Sequence, residues 1–282
     1  MKLIALVDGS IYAHSVCDLA AWAAPRIGAE VEILHVLGRR DTSESTDLSG
    51  SIRLGARSAL LKELSDLDEQ RAKLVAHRGR AILDDAREVL EKAGQEAVTT
   101  KLRHGDLLET VAEQEADAAF ILIGKRGEAA DFAKGHLGSN LERIVRSGAR
   151  PVMVAARAFK PISKVLVAYD GGASSMRAVD HIARSPLYAG LSVTVVMVGA
   201  PGAAQNKALA DAHAMLAAGG VQAETLGLSG QPETALGKLV EEQGFDMLVM
   251  GAYGHSRIRS LIIGSTTTEM IRSCKVPVVL IR

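Results

Sequence analysis

The chain has 282 residues, 48% of them apolar and 23% charged, with 33 basic side chains against 33 acidic ones and a formal net charge of zero. That balance lacks the basic excess expected of a general nucleic-acid binder, and no apolar run reaches the roughly 18 residues that a membrane helix needs. The opening stretch MKLIALVDGS meets an aspartate at position 8, so it does not read as a secretory leader, and a cytoplasmic location is expected.

In chain order, LIALV (3–7) reads as a first strand ending at Asp8, and a helix carrying Cys17 follows. Cys17 and Cys274 are the only cysteines and form no CxxC, so both read as small buried residues in a reducing compartment. VEILHV (31–36) is a second strand. After it, residues 37–57 are polar and rich in Ser, Thr, Asp and Gly, which predicts a surface loop or flap, or else an idle insertion, with a short helix expected over 58–68. Ile82, Ala86, Val89 and Leu90 then recur at helical spacing up to Gly94. FILIG (120–124) and PVMVA (151–155) close a first unit, and RAFKPIS (157–163) reads as a linker.

The whole pattern then repeats. Lys2–Val36 lies over Lys164–Val198 without a gap at an offset of 162, and the stretches around Gly138 and Pro151 match those around Gly264 and Pro277 at an offset of 126. Strands of the second unit are expected to start near Val165, Val193, Ala223, Met247 and Val278. Continuous apolar strands alternating with amphipathic helices indicate a parallel sheet covered on both faces. The expected fold is therefore α/β: two tandem doubly wound, five-stranded, Rossmann-like domains, residues 1–158 and 159–282, related by a pseudo-twofold. The last strand of each unit is a natural pairing edge between them.

In such sheets ligands bind beyond the carboxyl ends of the strands. The second unit carries GAYGHSRIRSLIIGSTT (251–267) at such a strand end. Gly251 and Gly254 offer bare backbone. Gly264 opens a helix whose first N–H groups have no partner within the helix, which makes an anion site. Ser265, Thr266 and Thr267 bring hydroxyls, and His255, Arg257 and Arg259 stand nearby. Asp8 and Asp170 each end a first strand, where a carboxylate can accept from a base amino group or a ribose hydroxyl, or cap the following helix.

These residues resemble the universal stress protein family, whose signature G-x2-G-x9-G-[ST] is matched by Gly251, Gly254, Gly264 and Ser265. The resemblance covers both halves. It implies an adenine nucleotide α hydrolase-like fold and an adenine-nucleotide ligand, ATP with or without Mg²⁺. It further implies Asp170 and the Val198 backbone at the base, Gly251 and Gly254 against ribose and phosphates, and Gly264, Ser265 and Thr267 at the phosphates. In the first half Asp8, Val36, Gly124, Gly127, Gly138 and Ser139 take the equivalent places, but ten residues, not nine, separate Gly127 from Gly138. The stretch GKRGEAADFAKGHLGS (124–139) carries Lys125, Arg126 and Lys134, to hold an anion differently or simply to face water. The second-half site is expected to be the better one. The resemblance also implies a role in stress tolerance through an unknown protein partner, and pairing of the last strand, here within the chain, with homodimerisation left open.

No catalytic constellation is visible. The P-loop signature, the SGG-x-DS loop of ATP pyrophosphatases and the G-x-S-x-G elbow are absent, and the eight histidines lack metal-binding spacing. The leading reading is a nucleotide-responsive binding module. A slow ATP hydrolase or phosphoryl or nucleotidyl transferase is the alternative, and a flavin-binding electron carrier is disfavoured by an aromatic content of 3%.

Overall fold

The computed structural model describes residues 1–38, 54–127, 138–252 and 264–282, the side chains of 54–60 excepted. In the first half, strands β1 (Lys2–Leu6), β2 (Glu30–Leu37), β3 (Val98–His104), β4 (Ala118–Gly124) and β5 (Val152–Ala155) are joined by α1 (Ala13–Ile27), α2 (Leu54–Lys92), α3 (Leu107–Gln114) and α4 (Ser139–Ser147). The second half repeats this with β6 (Lys164–Ala168), α5 (Ala173–Arg184), β7 (Ser192–Val198), α6 (Ala203–Ala218), β8 (Ala223–Leu228), α7 (Pro232–Gln243), β9 (Met247–Gly251), α8 (Ser265–Ser273) and β10 (Val278–Ile281). The five strand starts expected from the sequence for the second unit fall within one residue of those observed.

All ten strands form one sheet in the order β3-β2-β1-β4-β5-β10-β9-β6-β7-β8, a palindrome of the two units. Every pairing is parallel except the central one, where Val154, Met153 and Val152 run antiparallel to Val278, Val279 and Leu280. The pseudo-twofold thus lies at the β5–β10 seam, and the last strands pair within the chain.

The central strands are buried on both faces, as the continuous apolar runs require. The outer strands β3 and β8 have no fully buried residue and carry Thr99, Lys101, Arg103 and Glu224, charges and hydroxyls that blunt an open edge. One core packs α1, the C-terminal part of α2, α5 and α6 on one face. The other packs α3, α4, α7 and α8 on the opposite face, and both cores run across the seam.

One expectation is corrected. The short helix over 58–68 and the helix ending near Gly94 are a single helix of 39 residues, α2. No residue between Leu54 and Lys92 is a proline, so nothing in the covalent chain interrupts it. The remainder of the insertion, residues 39–53, lies outside the described residues. Both cysteines are buried, and burial pushes the Cys17 thiol up to about 12 and raises that of Cys274. Among the described residues no helix is long and apolar enough to cross a membrane.

Candidate functional site

Each half places its described candidate residues at the carboxyl ends of its first, second and fourth strands and at the start of its fourth helix. In the first half the half-buried Asp8 follows β1, and its Oδ1 accepts the Ser10 N–H at 3.0 Å. A Cβ on Gly127 would stand 2.9 Å from Asp8 Oδ2, so this carboxylate lies against bare backbone of the glycine loop. Gly138 donates its N–H to the Lys125 carbonyl at 3.3 Å, and its own Cβ would meet the Lys125 carbonyl and Arg126 Cα at 3.3 and 3.4 Å. Asp8, Gly127 and Gly138 are thereby brought together. Ser139 is exposed at the first position of α4, and the half-buried Val36 pairs with Arg103 near the end of β2.

In the second half Asp170 is exposed. Its Oδ1 accepts the Gly172 N–H at 2.8 Å and the Ser175 hydroxyl at 2.6 Å. Thr267 is buried and donates its hydroxyl to the Gly251 carbonyl at 3.4 Å, which ties the first turn of α8 to the end of β9. Ser265 is exposed and Thr266 half-exposed on that same turn. Val198 ends β7 opposite Leu228 and is half-buried. Gly254 and His255, with Arg257 and Arg259, lie outside the described residues, as does Lys134.

Gly124 and Gly251 have a packing reason to lack a side chain. A Cβ on Gly251 would come within 2.2 Å of Ser174 Oγ and 2.8 Å of the Ser175 nitrogen; one on Gly124 would come within 2.5 Å of Tyr12 Cβ. Tyr12 and Ser174 are equivalent positions, 162 residues apart, so the two halves close the same gap at the start of the same helix. The sequence did not single out Tyr12, Ser174 or Ser175. The repeat alignment pairs Tyr12 with Ser174, but nothing in it shows which strand end they meet.

Two further expectations change. Asp8 and Asp170 are not helix caps: the capping positions are Tyr12 and Gly172, and the carboxylates brace the turn before them. Lys125 does not face water. It is buried, and its Nζ donates across the seam to the Cys274 carbonyl, the capping residue at the C-terminal end of α8. Burial lowers its pKa. The carbonyls at a helix C-terminus carry partial negative charge, so a cation is favoured there.

The two helix starts differ electrostatically. Both α4 and α8 begin after a glycine, Gly138 or Gly264, that supplies no capping side chain. The first turn of α4 carries Glu142, whereas the first turn of α8 carries no acidic residue. Next to Glu142, Arg143 is engaged with Asp106, donating to both carboxylate oxygens at 2.9 and 2.8 Å and holding that carboxyl below its usual range. The positive end of α8 is therefore the less compensated of the two.

A family model described as the universal stress protein family matches residues 1–156 and 197–282. The chain belongs to the universal stress protein family. Its tandem form is shared with Universal stress protein Slr1230 of Synechocystis sp., which is 41% identical over 289 aligned residues spanning all of both chains. A universal stress protein from Archaeoglobus fulgidus, 20% identical, superposes with a TM-score of 0.73 over 100% of this chain and 98% of that one. A putative universal stress protein from Pseudomonas aeruginosa, 16% identical, gives 0.61 over 99% and 92%. These two structures show a shared fold. Residues 157–196 of this universal stress protein lie outside the family-model match, yet they build β6 and α5 in the places that β1 and α1 occupy in the first half.

Proposed function

We propose that this protein binds an adenine nucleotide, ATP by preference, at the carboxyl edge of its second half, and acts by ligand-dependent interaction with a protein partner and not by turnover. The observation that carries the reading is the start of α8. Gly264 leaves the first N–H groups without a side-chain cap, no carboxylate stands in the first turn, and the exposed Ser265 and half-exposed Thr266 add hydroxyl donors. Oxyanions of a triphosphate match that donor set. Asp170 stands at the neighbouring strand end as an acceptor for a base or ribose. Its Oδ1 is already steadied by Gly172 and Ser175, and a carboxylate has acceptor sites for more than one such donor.

On this reading Gly264, Ser265 and Thr266 hold the phosphates, Val198 and Asp170 face the base side, and Gly254 and His255 complete the loop between them. Bound nucleotide supplies negative charge that orders this edge, favouring whichever conformation binds it better. The first half, residues 1–158, is a second unit of the same kind whose phosphate corner is weakened by Glu142, and residues 159–282 form the principal binding unit.

Isothermal titration of nucleotide-stripped protein with ATP and Mg²⁺ tests this. Wild type binds one equivalent tightly, Gly264→Val loses that heat, and Gly138→Val keeps it. Absence of heat in wild type, with no nucleotide released from freshly denatured protein, overturns the reading.

A further inference from the structure

The long helix α2 does two different things along its length. From Gly79 onward it packs on the sheet: a Cβ at Gly79 would meet Leu102, His35 and Leu37 side-chain atoms at 2.8–3.3 Å, and Leu83, Ala86 and Leu90 are buried. His35, Leu37 and Leu102 lie toward the carboxyl ends of β2 and β3. Residues 54–78 therefore run on past that edge, an arm of about 38 Å at 1.5 Å per residue.

Between 61 and 74 every residue of this arm is exposed except the half-buried Leu64. Three of the five large apolar residues most exposed among the described ones lie here: Leu61 at 56%, Leu67 at 55% and Leu74 at 70%. With Leu64 they fall on one face of the helix, a stripe of the width that normally packs against another element. The adjoining segment 39–53 has only Leu48 and Ile52 as large apolar residues.

The charges on the arm indicate what covers the stripe. From Lys62 to Glu69 there are four carboxylates, Glu63, Asp66, Asp68 and Glu69, against one lysine. From Gln70 to Arg80 there are four cations, Arg71, Lys73, Arg78 and Arg80, and no carboxylate. A second arm laid parallel sets like charge against like. Laid antiparallel about a twofold near Gln70, the same arm sets its acidic half against the basic half of its mate, with Leu67 beside Leu74. The Lys73–Glu69 ion pair within one arm is fully exposed and holds little.

We propose that residues 61–78 of α2 are a self-association surface whose occupant is the same segment of a second copy, paired antiparallel. This contact is separate from the β5–β10 seam, which is satisfied within one chain. It is small, and it places the association in the weak, concentration-dependent class.

Sedimentation equilibrium on the full chain tests it. Wild type moves from 29.7 kDa toward twice that mass as concentration rises. Leu67→Glu weakens the association by roughly ten-fold or more, with thermal melting unchanged because the site is exposed. An all-basic arm (Glu63, Asp66, Asp68 and Glu69→Lys) and an all-acidic arm (Arg71, Lys73, Arg78 and Arg80→Glu) each stay monomeric alone and pair when mixed.

Orientation is read by oxidative cross-linking. Gln70→Cys joins to its copy, whereas Lys62→Cys does not, because in the antiparallel pair it stands about 25 Å from its mate. A monomer at all concentrations, an unchanged association in Leu67→Glu, or equal cross-linking at positions 62 and 70 overturns the proposal. So does a monomer in which the arm amides exchange slowly, which means the arm is covered by its own chain.

Discussion

The two halves are the same fold used twice, and the places where they agree differ in kind from the places where they part. They agree where a helix must close on a strand: Gly124 receives Tyr12 and Gly251 receives Ser174, at equivalent positions and for the same reason. They part at the start of the fourth helix of each half, where α4 carries Glu142 in its first turn and α8 has no acidic residue. They part again at the seam. Lys125 of the first half meets the C-terminal end of α8, while Arg282 of the second donates to the Gly148 carbonyl at the C-terminal end of α4, at 2.7 Å. The positions equivalent to these two cations hold Ala252 and Ala156. Each half thus neutralises a helix end of the other, from positions that are not related by the pseudo-twofold. A duplicated chain is free to solve one electrostatic problem in two ways, because its two copies carry different residues. A homodimer of identical chains cannot.

The comparison is broken most severely at the shared glycines. Gly251→Val should unfold the second half or lower its melting temperature by the largest margin of any change here. Its Cβ would collide with the backbone of Ser175 as well as with the Ser174 hydroxyl, and forced overpacking costs about 1–3 kcal/mol or more. Calorimetry on Gly251→Val beside Gly124→Val would show whether the halves melt separately.

Next in size is acid sensitivity at the seam. His181 stands between Phe120 and Tyr188 in edge-to-face contacts at 5.3 and 5.9 Å, with its Nε2 buried and without a hydrogen-bond partner. Burial depresses its pKa from 6.5 to about 4. Between those values the unfolded chain takes up the proton and the folded one does not. Stability is therefore full above pH 6.5 and falls as the pH drops toward 4, by at most about 3 kcal/mol. His181→Phe should flatten that part of the pH–stability curve. A slope unchanged by the substitution would remove His181 from the account.

The seam cations come third. Lys125→Ala should cost about 2 kcal/mol by leaving the Cys274 carbonyl unpaired, and Arg282→Ala less. Chemical denaturation would rank them, and equal losses would mean that the buried cation has no advantage over the exposed one.

The finest test exchanges the first turns of α4 and α8 and bears on the proposed nucleotide site. Thr268 occupies the position of Glu142, so Thr268→Glu should weaken ATP binding a few-fold. Glu142→Thr should strengthen the first half by a similar factor, since a charge in the first turn is worth about 0.3–1 kcal/mol.

Much of this was legible beforehand. The repeat at offsets 162 and 126 is carried by many residues at once, so the two units and the five strands of each follow from it, and the last strand of each could be expected to pair; the order of the strands across the sheet could not be read from it. The glycine loop was legible as a motif because glycine and hydroxyl residues at fixed spacing between a strand and a helix have few physical uses. The extent of α2 was not, since a polar run reads equally as a loop or as a helix with water on all sides. The true position of Lys125 was hidden for a different reason. Its partner is a backbone carbonyl 149 residues away, and a carbonyl has no signature in the sequence.

The antiparallel seam also bears on how the molecule comes to be made. Strand β5 ends the first half, but its neighbour β10 begins 126 residues later, at Val278 against Val152. While a ribosome is still adding the second half, the first can fold its own helices and four of its strands' pairings, as amino-terminal domains do. One side of β5 nevertheless stays open until the residues of β10 have emerged. The apolar edge buried at the centre of the finished sheet is, throughout synthesis, the edge most in need of shelter.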